Sequence, residues 1–95
     1  MSIDAIRWAW KMRGLRPAQK LVLVSLADRA DERHLCWPSL KRLVFDTGLD
    51  ERTITTALKR MCDTGVISRK ETPGRGYIYT LIGVVGRETE PPSID

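Results

Sequence analysis

Between Ser39 and Gly65, apolar residues recur three and four positions apart in two short runs separated by "TGLD". At about 100° per residue, Leu40, Leu43, Val44 and Thr47 fall on one side of the first run. In the second, Ile54, Ala57, Leu58 and Met61 stand at i, i+3, i+4 and i+7, a stripe that buries one face of a helix. Ser39 follows a proline and is the expected N-cap of the first helix. Gly48 can take the left-handed conformation that ends it. Leu49 then plugs inward, Asp50 caps the next helix, and Gly65 ends that one.

The flanking patterns extend this pair on both sides. Upstream, "SIDAIRWAWKM" predicts a helix with Ile3, Ile6 and Trp10 on one face and Ala5, Trp8 and Met12 on the other. A helix apolar on both sides needs two things to pack against. After Gly14, "LRPAQKLVLVSLADRADE" predicts a largely buried central helix with Pro17 in its first turn, where a missing N–H costs nothing. The polar loop "DERHLCWP" follows, with Trp37 expected as a core plug. Downstream, the β-branched and aromatic runs "VISRKE" and "YIYTLI" are joined by "TPGRG" and predict an antiparallel hairpin with Arg75 at its tip.

Two short helices hinged at a glycine-containing turn, followed at once by a β-hairpin, define the expected fold: mainly α with a small antiparallel β-hairpin, a winged helix-turn-helix. Residues 1–14 form an N-terminal helix suited to dimerisation, 15–82 the winged helix-turn-helix, and 83–95 a flexible tail or linker.

The core stripe of the second helix also fixes what that helix shows to solvent. Arg52, Thr56, Lys59 and Asp63 lie within about 40° of the outward direction. Thr55 and Arg60 flank them, and Thr53 lies beyond. Arginine bonds guanine at O6 and N7, and threonine bonds a base edge or touches a thymine methyl. Lys59 and Arg60 are better placed for phosphates. The hairpin adds Arg69, Lys70 and Arg75, the last between two glycines that permit close approach to a backbone or minor groove. Any solvated helix shows charged residues and threonines, and Lys59–Asp63 is an ordinary i, i+4 pair. The hinge and basic hairpin around that face point to DNA. Phe45, about 140° from Leu40, is expected to be partly exposed and, with Trp8 and Met12, to contact a partner or a second copy.

Composition narrows the function classes. A 95-residue chain, 42% hydrophobic and 29% charged, is one soluble domain. No apolar run approaches the roughly 18 residues of a membrane span, and "MSIDAIRW" has no apolar leader, so a cytoplasmic location and no membrane partner are expected. Cys36 and Cys62, 26 positions apart, are no disulfide framework. With His34 they could supply three metal ligands where structural zinc takes four, so no metal is expected. The net charge is +4 and the pI about 9.4. Residues 39–82 carry eight Lys and Arg against five acids, whereas the last 13 residues carry one base and three acids. A basic body suits a polyanion. One histidine, no phosphate-cradling glycine loop and no singled-out carboxylate pair leave no catalytic constellation, so neither enzymatic activity nor a cofactor is expected.

The segments "KLVLVSLADRAD", "CWPSLKRL", "TGLDERTITTALKRM" and "GVISR" resemble the winged helix-turn-helix domains of phage and plasmid replication proteins, of the replication protein O-like and RepA-like groups. The resemblance runs from about Leu15 to Leu81. It departs at Arg16, where a small capping residue is usual, and in "DERHLCW", which lacks the usual loop glycine. It implies Arg52, Thr53, Thr55, Thr56 and Lys59 as DNA-facing residues, with Arg75 on the wing. The partner so implied is double-stranded DNA, bound for replication initiation or transcription regulation in a mobile element. The competing reading is an interaction module that docks a replication or plasmid-maintenance protein, with incidental DNA affinity.

Overall fold

The helix α2 (Pro17–Arg29) organises the domain. Val22, Leu23, Leu26 and Ala27 are fully buried on one side of it and belong to the hydrophobic core. In the computed structural model, which describes residues 3–74 and 76–84, α2 is preceded by α1 (Ile3–Lys11) and followed by β1 (Leu35–Cys36). Next come α3 (Leu40–Thr47), α4 (Glu51–Asp63), β2 (Ile67–Thr72) and β3 (Gly76–Leu81). The strands form an antiparallel sheet in the order β1-β3-β2. The architecture is the expected one, mainly α with a β wing.

The sheet has one strand more than the predicted hairpin. Leu35 and Cys36, expected in a polar loop, pair with Thr80 and Tyr79 of β3 and make the wing three-stranded. The loop before β1 reaches this register through His34, which takes a left-handed φ of 65°. It is the one described non-glycine residue with positive φ and stands in the loop that lacks a glycine. The Asp31 carboxylate stabilises the turn by accepting from the Arg33 and Leu35 amides, which holds it below the usual carboxylate range. Trp37 corrects a sequence expectation: it is 61% exposed, not a core plug. Side chains alternate along extended backbone, so burying Cys36 turns its neighbour outward.

The helical pair is wired as its caps predict. Ser39 Oγ accepts from the Arg42 amide at 3.1 Å, and Asp50 Oδ1 from the Thr53 amide at 3.0 Å. Gly48 closes α3 with φ 76°. Thr47 Oγ1 donates back to the Leu43 carbonyl and accepts from the Leu49 amide, tying the turn to the helix it leaves. Leu43 is buried, with Leu40, Val44 and Leu49 packed against the core. Arg29 clamps α2 to α3 through two bonds to Asp46, at 2.7 and 3.1 Å, and this pairing lowers the Asp46 pKa.

Helix α1 packs on α2 through Ala5 and Ala9, both fully buried. Small residues at this i, i+4 spacing let the backbones approach closely. Trp8 and Met12, expected at a dimer contact, are half-buried against the domain's own core. The exposed apolar residues of α1 are Ile3 and Trp10. Lys20 of α2 ties down the end of α1, its Nζ donating to the carbonyls of Ala9, Trp10 and Met12. A cation there satisfies carbonyls that a helix end leaves unpaired. Residues 85–95, most of the expected tail, lie outside the described residues.

Candidate nucleic-acid interface

Helix α4 divides cleanly into two faces. Ile54, Ala57, Leu58 and Met61 are buried, and Arg52, Thr55, Thr56, Lys59, Arg60 and Asp63 are exposed. The helix carries both sets because the apolar stripe recurs at helical spacing and leaves the opposite positions free to be polar. Thr53 is half-buried at the edge, and its hydroxyl and amide bond to Asp50, holding that carboxyl below its ordinary value. Thr53 therefore supports the cap more directly than it offers itself to a ligand. Lys59 Nζ lies 3.4 Å from Asp63 Oδ2, a solvent-exposed i, i+4 pair. Such a pair is worth only about 0.3–0.5 kcal/mol, so Lys59 can be released to a phosphate at small cost.

Thr55, Thr56, Lys59, Arg60 and Asp63 of that face form the floor of an open groove of about 740 Å³. Its other wall is the connection between α1 and α2, Arg13, Gly14, Leu15 and Arg16, together with Gln19 in the first turn of α2. No residue of this wall is marked as functional by the sequence pattern. Only packing brings it to α4, and a run of two arginines around a glycine was the one available signal. Arg16 is the N-cap of α2; its side chain cannot accept a bond, and the Gln19 side chain supplies only the reciprocal half of a capping box by accepting from the Arg16 amide at 3.1 Å.

On the wing, Lys70 is exposed, whereas Arg69 is half-buried with its guanidinium 4.5 Å from the centre of the Tyr77 ring. Strand alternation explains the split: Arg69 shares the inner face with Ile67, opposite Tyr79, and Lys70 points to the other side. The sequence grouped them as equivalent; the sheet separates them. Arg75 lies outside the described residues. Phe45 is 78% exposed, with the Arg42 guanidinium 5.6 Å from its ring.

Residues 13–67 match the family model of a helix-turn-helix domain. The chain belongs to that helix-turn-helix family. The match starts at Arg13 and ends at Ile67, so it spans the groove and the two hinged helices, while α1 and most of the wing lie outside it. Neither a curated protein nor a solved structure matches the chain significantly. A helix-turn-helix domain binds DNA, and here α4 is its second helix.

Other chemistries find less support in the geometry. His34, Cys36 and Cys62 are not gathered into a ligand set, and among the described residues no three metal-binding side chains are. Burial pushes the Cys36 thiol up to about 12, which makes it a structural thiol and not a reactive one. Among the described residues no helix is long and apolar enough to cross a membrane.

Proposed function

We propose that the protein binds double-stranded DNA sequence-specifically, with α4 in the major groove and the wing over residues 69–76 against the backbone or minor groove. The observation that carries this reading is the exposed face of α4, where Arg52, Thr55, Thr56 and Lys59 stand opposite a fully buried stripe. Arg52, in the first turn, is the candidate for bidentate recognition of guanine, and Thr55 and Thr56 for base edges or a thymine methyl. Lys59, Arg60 and Lys70 supply phosphate contacts. One such module makes few base contacts, so a homodimer on two half-sites about 10 bp apart suits a replication initiator or transcription regulator of a phage, plasmid or other mobile element.

The test is selection of duplexes by the domain followed by titration at several salt concentrations. Arg52→Ala is expected to relax preference at one base pair, where a good bidentate contact is worth about 1–3 kcal/mol. Lys59→Ala is expected to weaken binding to all sequences and to flatten the salt dependence by about one unit. Absence of binding to any duplex at about 50 mM salt overturns the reading.

A second reading, docking of a replication or maintenance protein, has its own observation. An open groove of about 540 Å³ between α1, α2 and α3 is lined by Trp10, Leu21, Val24 and Phe45. A partner complex retained when Arg52 and Lys59 are both replaced, combined with no preference among duplexes, would favour it.

A further inference from the structure

We propose that Arg13 and Arg16 form a phosphate clamp beside the exposed face of α4. The proposal rests on the major-groove reading above and adds to it a contact from outside the hinged pair. The major groove is about 12 Å wide and an α-helix with its side chains about 10–12 Å across. A helix seated there leaves a phosphate ridge along each flank, and whatever flanks it in the protein meets those ridges.

At about 100° per residue, Thr55 and Cys62 fall on one side of the outward direction, and Arg60 and Thr64 on the other. The groove whose wall carries Arg13 and Arg16 is lined by Thr55 from the first side and by Arg60 and Thr64 from the second, so the wall stands along the exposed face itself.

The connection also has the charge and the rigidity a clamp needs. Among the described residues, the guanidinium groups of Arg13, Arg16 and Arg60 have no carboxylate partner, and the groove's one acid, Asp63, faces Lys59. The groove thus holds four cations against one anion. Its wall is fixed at both ends: Lys20 anchors the last carbonyls of α1, and Gln19 holds the backbone of Arg16. Gly14, at φ 86°, makes the turn between them. Holding a cationic segment in place before binding lowers the ordering cost of the contact.

The experiment measures affinity for a random-sequence duplex between about 50 and 200 mM salt, where phosphate contacts dominate. Each lost phosphate contact lowers the slope of log K against log salt by about 0.9. R13Q/R16Q is expected to lose nearly two units of slope and at least tenfold in affinity at the lower salt, with an unchanged melting midpoint. R13K/R16K, which keeps the charges, should retain the slope. R13Q alone, remote from the α2 cap, should lose about one unit and separates a contact effect from a folding effect. Full slope in R13Q/R16Q alongside a reduced slope in K59Q overturns the clamp and leaves the α4 reading standing. No duplex binding by the wild type removes both.

Discussion

Two open grooves lie on opposite sides of this small domain, and they differ in almost every physical respect. The one over α4 is cationic, walled by Arg13 and Arg16 and floored by Thr55, Thr56 and Lys59. The other, on the outer side of α2, exposes Trp10, Leu21 and Phe45, with Asp28 and Asp46 at its rim. Gln19, which faces the first groove, and Leu21 and Val24, which face the second, project from opposite sides of α2 at about 100° per residue. A single buried helix thus separates a surface fit for a polyanion from one fit for an apolar partner. A domain that must read DNA while contacting a second protein, or a second copy of itself, can do both without competition between the two surfaces.

The comparison breaks most completely at Lys20, which stands between the grooves. Its three bonds to the end of α1 hold Trp10 on one side and the arginine-bearing connection on the other. Lys20→Met is expected to cost about 1–2 kcal/mol in folding stability, seen as a drop in the thermal midpoint. It should also weaken duplex binding, because the wall of the cationic groove loses its anchor. Undiminished stability would mean that the carbonyls find water at no cost.

Substitution within the apolar groove sharpens the contrast instead. Trp10→Ser with Phe45→Ser should shift a self-associating wild type toward monomer in sedimentation equilibrium. Duplex affinity per protomer should stay within about twofold, which is under 0.5 kcal/mol. A large loss of intrinsic affinity would show that the two surfaces are coupled.

Smaller effects are expected from Asp63. Among the described residues it is the only acid in the cationic groove, and its partner is Lys59. Asp63→Asn frees Lys59 and removes one repulsion with phosphate. Affinity for all duplexes should rise by roughly threefold to fivefold, on the order of 1 kcal/mol, with the gain shrinking at high salt. A gain confined to particular sequences would instead assign Asp63 to base reading.

The smallest change tests a site outside both grooves. His34 holds φ 65° with its Nδ1 buried and unpartnered. His34→Gly relieves both conditions, and a left-handed non-glycine residue costs about 1–2 kcal/mol, part of which the added chain entropy of glycine offsets. A net gain of up to about 1 kcal/mol in chemical denaturation is expected, with neither DNA affinity nor association altered.

The hinged helices were legible in advance because their information is local. Ser39, Gly48 and Asp50 cap by bonds spanning four residues or fewer, and the stripe Ile54–Met61 needs nothing beyond helical spacing to choose a face. Choosing that face also named Arg52, Thr55, Thr56 and Lys59 as the residues left exposed. Where alternatives depended on distant partners, periodicity was silent or misled. Both faces of α1 looked apolar, and packing on α2 buried Ala5 and Ala9 while leaving Trp10 outside. Trp37 was turned outward by a two-residue strand whose only reason to form is β3, more than 40 positions further along the chain. Arg69 and Lys70, adjacent in sequence, were assigned to opposite sides of the wing by its register. The sequence alone therefore determined the helix-turn-helix and the polar face of α4, since caps and stripes act within one or two turns. Tertiary structure alone decided what stands beside that face, because Arg13 and Arg16 reach it through the packing of α2 across the core, a contact that no local spacing encodes.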